Sequence, residues 1–374
     1  MGIMPTSIMK KALLAGGAFV LGREIVRRAT PADLRGQVAL VTGGSRGLGL
    51  LISRELARAG CQLAICARDE AELERARHTL ISDGSPGGRV ETVVCDVSDQ
   101  AQVGRMIEQV TRRLGRIDVL VNNAGVIQVG PFANQEIGDF RQAMDIMYWG
   151  VVYPTLAVLP QMRSRGHGRI VNVTSIGGKV SVPHLLPYSS AKFAAVGFSE
   201  GLAAEVAQDG ITVTTIVPGL MRTGSHLHAV IKGNHEAEYG WFSLGASLPA
   251  ISMDAERAAR QIVEAVRRGE AVRTLGMPAL LASRFHGLFP GTTVELLGLV
   301  NRLLPAPDRR STGSKPGYWA RERLDSQILD FATTLGRRAA ERFNETRPTA
   351  QERRTDSTLP ESDPSHRPTA VPPR

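Results

Sequence analysis

A tyrosine and a lysine stand four residues apart, at Tyr188 and Lys192. On a helix, positions i and i+4 share a face, so the phenol and the amine would lie close together. A free tyrosine has a pKa of about 10, which makes it a poor proton donor at neutral pH. A neighbouring ammonium favours the phenolate and lowers that pKa. Tyr188 is therefore predicted to exchange a proton with a carbonyl or alcohol oxygen.

Ser175 lies thirteen residues before Tyr188, just after an apolar run that predicts a strand. Its hydroxyl can donate to a carbonyl oxygen and stabilise the charge that develops there. Lys192 can also hydrogen-bond a cofactor ribose. Taken alone, the Tyr188 and Lys192 pair is also typical of an ordinary surface-helix contact.

A glycine-rich segment lies upstream, between a predicted strand and a predicted helix, and reads Thr42-Gly43-Gly44-Ser45-Arg46-Gly47-Leu48-Gly49. Glycines permit a tight turn and let the backbone approach a pyrophosphate, and the helix N-terminus offers free N–H groups and a positive dipole end. This context favours a dinucleotide site over a simple turn.

Apolar runs and helical stretches alternate from Gly36 onward. The predicted strands are Val38–Thr42, Gln62–Ala67, Val90–Cys95, Ile117–Val121, Arg169–Val173 and Thr212–Val217. The predicted helices are Leu48–Ala59, Asp69–Leu80, Ala101–Leu114, Phe140–Arg163, Ser189–Ala207 and Asp254–Arg268. The alternation predicts an α/β fold, a doubly wound parallel sheet of Rossmann type with a C-terminal helical extension. Near-continuous apolar strands agree with burial on both faces.

The spacing Gly43-x-x-x-Gly47-x-Gly49 after Thr42 resembles that of the short-chain dehydrogenase/reductase family. The resemblance extends over roughly residues 36–253, where Asn122-Asn123-Ala124-Gly125 matches a second family motif. It implies an NAD(P)-dependent oxidoreductase that interconverts a carbonyl and an alcohol on a small substrate. In the family, residues at the positions of Ser175, Tyr188 and Lys192 form the active site.

The resemblance also implies cofactor contacts, with Asp96 at the adenine and Pro218, Gly219 and Thr223 near the nicotinamide. The expected cofactor residues are Thr42, Gly43, Ser45, Arg46, Gly47, Leu48, Gly49, Arg68, Asp96, Val97, Asn123, Ala124, Gly125, Tyr188, Lys192, Pro218, Gly219 and Thr223. We expect no metal site, because His226-x-His228 has no Cys, Asp or Glu cluster beside it.

The choice of nicotinamide depends on the end of the second strand, where NAD-binding proteins place an Asp or Glu that bonds the ribose 2′-OH. That position is Ala67, followed by Arg68, and Arg46 directly precedes Gly47. Two guanidinium groups suit a 2′-phosphate, so NADP(H) is predicted. Asp69, one residue further on, keeps NAD(H) as the alternative.

One position departs from the family pattern. Met147 occupies the place of an asparagine that, in the family, helps to hold a water joining the lysine to solvent. A thioether is a weak acceptor and donates nothing. We favour retained activity, with other waters carrying the proton. The alternative is a cofactor-binding regulatory or scaffold protein with weak turnover.

The segment Arg222–Met253 is expected to be an irregular lid over the nicotinamide. Its apolar residues predict a lipophilic substrate, or alternatively bury one another; they are Leu227, Val230, Ile231, Tyr239, Trp241, Phe242 and Leu244. His184, between Ser175 and Tyr188, either lines the substrate pocket or packs within a loop.

Composition limits the remaining function classes. The chain has 374 residues, a net charge of +9 and three cysteines, which exclude a disulfide framework and favour a reducing, cytoplasmic location. Residues 1–35 carry six basic and two acidic groups, a net +4 (6 − 2). This terminal excess favours contact with an anionic membrane surface and disfavours nucleic-acid binding.

Four parts are expected along the chain. Residues 1–35 form a basic and apolar segment, 36–275 the catalytic domain, 276–346 an amphipathic helical extension, which includes a predicted charged helix Gly317–Phe343, and 347–374 a disordered tail. The run Ala12–Gly22 is shorter than the roughly 20 residues of a spanning helix. We interpret it as an interfacial anchor, ahead of a self-packing helix or an export signal. With the apolar stretch Leu280–Leu304, it predicts peripheral contact with the inner face of a membrane.

The resemblance implies one further partner, a second copy of the chain. Soluble family members often pair through the helix that carries the active-site tyrosine and through the long helix before it. In this sequence those helices are the predicted Ser189–Ala207 and Phe140–Arg163. A homo-oligomer is therefore expected.

Overall fold

The computed structural model describes residues 22, 31–84, 90–308, 313–324 and 333–345. The interfacial anchor expected within residues 1–35 lies almost entirely outside the described residues, and the tail expected at 347–374 lies wholly outside them. Within the described ranges, no helix combines the length and the apolar character needed to cross a bilayer.

Seven parallel strands form the central sheet. In chain order they are β1 (Val38–Thr42), β2 (Gln62–Ala67), β3 (Val90–Val94), β4 (Val119–Asn122), β5 (Gly168–Val173), β6 (Ile211–Pro218) and β7 (Val272–Leu275). Their order across the sheet is β7-β6-β5-β4-β1-β2-β3, and each neighbouring pair is parallel. The winding reverses beside β1, which places a ligand crevice outside the carboxyl end of that strand. The predicted doubly wound parallel sheet is confirmed.

The helices pack on the two faces of the sheet and beyond its last strand. In chain order they are α1 (Gly47–Arg58), α2 (Glu70–Ser82), α3 (Gln100–Leu114), α4 (Ile137–Met144), α5 (Gly150–Arg165), α6 (Leu186–Glu205), α7 (His235–Ser247), α8 (Ala255–Arg268), α9 (Met277–Leu288), α10 (Pro290–Asn301), α11 (Gly317–Arg323) and α12 (Thr334–Arg342). Aspartates cap three of them: Asp69, Asp99 and Asp254 each accept a backbone N–H from the first turn. These caps fix where α2, α3 and α8 begin.

The strands bury side chains on both faces of the sheet. In β1, Ala39 and Val41 belong to an apolar cluster with α1 and α8. Val38 and Leu40, which alternate with them, belong to a second cluster with α3 and α5. This two-sided core explains why the strands read as continuous apolar runs in the sequence.

The long helix predicted over Phe140–Arg163 is interrupted. It consists of α4, a π-helical turn over Asp145–Trp149, and α5. A π turn adds a residue to the helical repeat and is frequent at functional sites. Met147 lies in this turn.

The lid expected to be irregular over Arg222–Met253 contains a regular helix, α7, so that part of the prediction is wrong. Asn234 caps α7 by accepting the backbone N–H of Ala237. Gly240 and Gly245 lower the helix propensity of the segment, which concealed the helix in the sequence. Short strands also tie the lid to the domain, with Val230–Ile231 pairing to Gln128–Val129.

The C-terminal extension returns to the catalytic domain. The helix predicted over Gly317–Phe343 appears as α11 and α12, and residues 325–332 between them lie outside the described part of the chain. The side chains of Ala339 and Phe343 are buried in the same apolar cluster as α1 and α8. The last described residues therefore lie beside the glycine-rich loop.

Candidate active site

The glycine-rich loop connects β1 to α1 at the carboxyl edge of the sheet. Gly43 and Gly47 have φ angles of 62° and 54°, in the left-handed region that favours glycine. A Cβ atom at Gly49 would collide with the carbonyl oxygen of Gly43. The loop thus has the bare backbone at a helix N-terminus that a pyrophosphate requires.

The Asn-Asn-Ala-Gly segment after β4 is bonded to this loop. The side-chain amide of Asn123 donates to the carbonyl oxygens of Thr42 and Gly43, both at 3.1 Å. In return, the hydroxyl of Thr42 accepts the backbone N–H groups of Asn123 at 3.0 Å and Ala124 at 3.2 Å. The second motif therefore holds the first in shape.

A chain of buried amides and hydroxyls runs beneath the site. The amide of Asn122 donates to Asn172 at 2.9 Å, and the amide of Asn172 donates to the hydroxyl of Ser199 on α6 at 2.9 Å. Ser199 is in turn bonded to Thr215 of β6 at 2.7 Å. Three strands and the helix that carries Tyr188 are linked by this chain.

A cavity of about 530 Å³ opens beside the glycine-rich loop. Among the residues expected to bind cofactor, its wall contains Gly43, Ser45, Arg46, Leu48, Gly49, Arg68, Asp96, Val97, Asn123, Ala124 and Gly125. The expected residues outside its wall are Thr42, Gly47, Tyr188, Lys192, Pro218, Gly219 and Thr223. Of these, Thr223 lies close to Gly47, with its Cβ 3.9 Å from the position of a Cβ there. A groove of bare backbone at a positive helix end fits a dinucleotide.

Ser175, Tyr188 and Lys192 lie together at the ends of β5 and α6. The hydroxyl of Ser175 accepts the backbone N–H of Gly177 at 3.0 Å. A Cβ at Gly177 would lie 3.4 Å from that hydroxyl and 3.0 Å from the ring of Tyr188, so the two side chains are neighbours. The ammonium of Lys192 lies 5.9 Å from the centre of the Tyr188 ring and donates to the carbonyl of Val173 at 3.0 Å. The three side chains predicted from the sequence are brought together.

The protonation of this group differs from the expectation. Burial raises the pKa of Tyr188 above its usual value, and the hydrogen bond with Ser175 acts in the opposite direction. Burial also lowers the pKa of Lys192 to about 8. The lowering of the Tyr188 pKa by Lys192 is not found in this structure, because the ammonium is directed at the carbonyl of Val173.

Met147 and Lys192 both lie close to Gly125. A Cβ at Gly125 would be 3.8 Å from the ammonium of Lys192 and 3.8 Å from the sulfur of Met147. The methionine is wholly buried in a small apolar cluster with Ala143 and Ala191. At the place where a proton relay would start, this chain has a sulfur and no donor.

The end of the cavity near β2 carries several charges. Arg46 pairs with Glu72 at 3.0 Å, and Ser45 donates to the same carboxylate at 3.0 Å. Arg68 is exposed on the cavity wall. Asp69, the residue that kept NAD(H) as an alternative, uses a carboxylate oxygen to cap α2 by accepting the N–H of Glu72.

The residues of this wall that sequence reasoning missed include Glu72, His228 and Glu345. Glu72 follows Asp69 in the first turn of α2. This position, close after the end of β2, could have indicated that its side chain faces the cofactor cavity. Glu345 has no such signal. It arrives through the chain's far end, where Asn344 donates to the carbonyl of Ser45, 299 residues earlier, at 2.8 Å.

The sequence also matches known proteins. The family described as short chain dehydrogenase matches over residues 37–230, which include the loop, the asparagine motif and all three clustered side chains. The chain belongs to the short-chain dehydrogenase family. It is therefore an NAD(P)-dependent oxidoreductase acting on CH–OH or C=O groups.

Relatives of this short-chain dehydrogenase agree in sequence and fold. The dehydrogenase/reductase SDR family protein 7-like of Anopheles gambiae is 36% identical over 239 residues, which is 63% of this chain and 74% of that protein. A short-chain dehydrogenase from Streptomyces avermitilis has 31% identity and a TM-score of 0.60, covering 71% of this chain and 98% of its own. A gluconate 5-dehydrogenase from Burkholderia cenocepacia, solved with NADP and tartrate, has 27% identity and a TM-score of 0.57, covering 67% and 98%.

Proposed function

We propose that this short-chain dehydrogenase transfers hydride between NADP(H) and a small lipophilic carbonyl or alcohol. Ser175, Tyr188 and Lys192 are proposed as its catalytic residues. The convergence of Ser175 and Tyr188 beside Gly177, with the buried Lys192 ammonium 5.9 Å from the centre of the Tyr188 ring, carries this proposal. This arrangement places a proton donor, the phenol of Tyr188, next to a hydroxyl that can bind the substrate oxygen, that of Ser175.

Each side chain has a distinct part in the reaction. When bound, the nicotinamide cofactor supplies or accepts the hydride. Tyr188 gives its phenolic proton to the carbonyl oxygen during reduction, or takes the alcohol proton during oxidation. Ser175 donates a hydrogen bond to that oxygen. Lys192, whose pKa burial lowers to about 8, lies close to the Tyr188 ring and holds the proton that is returned to the phenolate after reduction.

The preference for NADP(H) is proposed from the charges near β2. Arg68 is exposed on the cavity wall and supplies a guanidinium for the 2′-phosphate. Arg46 shares its charge with Glu72 and is the secondary contact. The presence of NADP in the Burkholderia gluconate 5-dehydrogenase supports the same preference.

The lipophilic substrate is proposed from the surroundings of Tyr188. An apolar cluster formed by Val129, Leu185, Ala229, Ile231 and Phe242 packs against the Tyr188 ring. Trp241, on the lid helix α7, packs on the same cluster. Apolar surroundings of this kind next to the Tyr188 ring favour an apolar group attached to the reacting carbon.

The experiment is an assay with purified protein, NADPH or NADH, and paired aldehydes and ketones of matched size but different polarity. Oxidation is followed by the absorbance of the reduced nicotinamide. We expect turnover of apolar carbonyls with NADPH, and a loss of about 100-fold or more in Tyr188→Phe. Full turnover by Tyr188→Phe would contradict the proposal.

Met147 supports a second candidate function, a cofactor-binding regulatory or scaffold protein with weak turnover. Its buried thioether stands beside Lys192 and carries no proton. This candidate predicts that NADPH binds while every carbonyl in the panel remains unreduced. The same assay therefore separates the two functions.

A homo-oligomer is proposed from exposed apolar side chains on α5 and α6 and just before α5. Leu156 of α5 is 57% exposed, and Trp149 and Phe193 are also exposed. Large apolar groups of this kind favour a protein interface. Light scattering of the purified protein tests this, and a monomer unaffected by Leu156→Glu would contradict it.

Contact with a membrane surface is proposed for the hairpin of α9 and α10. Leu288 at its tip is 75% exposed and Leu303 at its end is 85% exposed. In α10, the exposed residues Val294, Leu296 and Leu299 point in different directions around the helix. Exposed apolar side chains at the tip and end of a projecting hairpin fit the acyl–headgroup boundary of a membrane, which is the proposed occupant.

Vesicle flotation tests this contact. The full chain is expected to float with anionic phosphatidylserine vesicles, and Leu288→Glu with Phe289→Glu to lose most of that binding. Equal flotation of the wild type and the double variant would contradict the membrane role. A change in oligomeric state without vesicle binding would assign the hairpin to a protein interface instead.

A further inference from the structure

We infer that the C-terminal strap, residues 333–345, competes with the dinucleotide for the anion-binding end of the glycine-rich loop. Glu345 is the competing group, and it must leave its present position when the pyrophosphate binds. The inference uses the cofactor part of the proposed function, and it is independent of the substrate and of the catalytic residues.

The backbone of the strap occupies the loop. The N–H of Gly47, the first residue of α1, donates to the carbonyl of Phe343 at 2.8 Å. The side chain of Asn344 donates to the carbonyls of Ser45 at 2.8 Å and Glu72 at 3.2 Å. Donors at a helix N-terminus are the groups that bind phosphate oxygens. Here one of them is already used by the chain itself.

The carboxylate of Glu345 lies where an anion is favoured. Its side chain is 4% exposed, and one oxygen is 2.5 Å from the position of a Cβ at Gly47. The other oxygen is 3.2 Å from Nε2 of His228 and 3.5 Å from Nε of Arg46. A carboxylate near the positive end of α1 stands in for a phosphate. A pyrophosphate and an ionised Glu345 would repel each other in this space.

The charges around Glu345 make this position sensitive to pH. Burial raises the pKa of Glu345 to about 7, Arg46 lowers it and Glu72 raises it. Burial, Arg46 and His226 lower the pKa of His228 to about 3, so that His228 stays neutral near pH 7. Below about pH 7 Glu345 therefore loses its negative charge.

The rest of the strap stays attached while Glu345 moves. Ala340 of α12 packs so closely on Gly224 that a side chain there would collide with it. Arg342 pairs with Glu256 of α8 at 2.8 Å. Asn344 has a φ of 58°, so the chain turns sharply just before Glu345. The displacement needed is confined to the last residues after α12.

The alternative hypothesis is that Glu345 stays in its present position and forms a hydrogen bond with the bound cofactor. The two readings predict opposite effects of removing the charge. If Glu345 competes, its removal tightens cofactor binding, because the binding-competent fraction of molecules rises. If Glu345 is part of the wall, its removal weakens binding.

The test is a titration of the full-length chain with NADPH, followed by intrinsic tryptophan fluorescence and by calorimetry. The variants are Glu345→Gln, Glu345→Ala and the control Glu341→Gln, which removes the same charge from an exposed site on α12. If the strap is docked in about nine molecules of ten, Glu345→Gln and Glu345→Ala bind NADPH about tenfold more tightly and Glu341→Gln is unchanged. Thermal melting verifies that each variant is folded.

The pH dependence gives a second readout. NADPH binding to the wild type is expected to tighten from about pH 8 to about pH 6, as Glu345 is protonated, and to approach that of Glu345→Gln. Equal or weaker binding by both Glu345 variants would overturn the inference alone. Failure of every variant to bind NADPH would overturn the proposed cofactor function with it.

Discussion

Nδ1 of His184 lies 2.8 Å from one carboxylate oxygen of Glu238 and 2.9 Å from the other, and both side chains are buried. The indole N–H of Trp241 donates to the same carboxylate at 2.7 Å. His184 has a left-handed φ of 63°, which is uncommon for a residue other than glycine. The contact between His184 and Glu238 joins the lid helix α7 to the loop that precedes Tyr188. Of the two interpretations left open for His184, the structure shows a packed one.

Glu238→Ala is expected to destabilise the protein by about 3 kcal/mol, because it leaves the buried His184 and the half-buried Trp241 without the acceptor of their N–H groups. Urea denaturation measures the free energy of unfolding. Glu236→Ala, in the first turn of the same helix, is the control and should cost less than about 1 kcal/mol. A similar decrease in the free energy of unfolding for both variants would show that the buried pair of His184 and Glu238 contributes no more to stability than an exposed carboxylate.

Ser175→Ala is expected to lower kcat by about 100-fold, since it removes the hydroxyl that binds the substrate oxygen and contacts Tyr188. The Kd for NADPH should change by less than about twofold, because Ser175 lies outside the cavity wall. Steady-state kinetics and cofactor titration provide the two values. Loss of NADPH binding would show that Ser175 acts on the cofactor site.

Met147→Asn is expected to raise kcat severalfold by supplying a donor and acceptor beside Lys192. It should also cost about 2 kcal/mol of stability, since the amide enters an apolar cluster with Ala143 and Ala191. Met147→Leu keeps the volume and should leave kcat unchanged. A kcat that does not rise in Met147→Asn would mean that the proton relay is not limiting.

Arg46→Ala combined with Arg68→Ala is expected to raise the KM for NADPH about tenfold or more and that for NADH by less than about threefold. The reason is the loss of both guanidinium groups at the 2′ end of the cavity. Arg77→Ala, exposed on α2 and paired with Glu74, is the control. Equal effects on the two cofactors would remove the basis for the NADP(H) preference.

Carbonyl reduction is expected to fall as the pH rises above about 8. Burial lowers the pKa of Lys192 to about 8, so its ammonium is present below that pH and lost above it. The raised pKa of Tyr188 keeps the phenol protonated through the same range. The pH profile of kcat/KM measures this, and Lys192→Arg should move the falling limb to higher pH. A flat profile from pH 7 to about pH 9 would contradict the role of the ammonium.

The parts of the fold that the sequence predicted are those set by local pattern. β1 and β2 have the predicted bounds, because buried strands read as continuous apolar runs. β7 was not predicted, since only Leu275 among its four residues is buried and an edge strand leaves little pattern. The π turn was not predicted either, because one extra residue hardly alters the helical period of the apolar residues in the sequence.

The candidate site divides in the same way. Ser175, Tyr188 and Lys192 lie within one short stretch whose spacing already implies their geometry. Glu345 and His228 reach the glycine-rich loop only through tertiary packing, from segments separated by most of the chain. The direction of the Lys192 ammonium toward Val173 and the burial of the phenol also depend on packing, so the lowered Tyr188 pKa that we predicted from the sequence is not found.

The buried hydrogen bonds from Asn122 through Asn172 to Ser199 join α6 to the middle of the sheet. Ser199 sits three turns along the same helix from Tyr188, so this bond fixes how far α6 can slide or rotate. The distance between the Tyr188 phenol and Ser175 is consequently maintained by the side-chain amide of Asn172, which contacts no reactant. A substitution at Asn172 would thus impair turnover because α6 would be held less firmly against the sheet, although every reacting side chain would still be present.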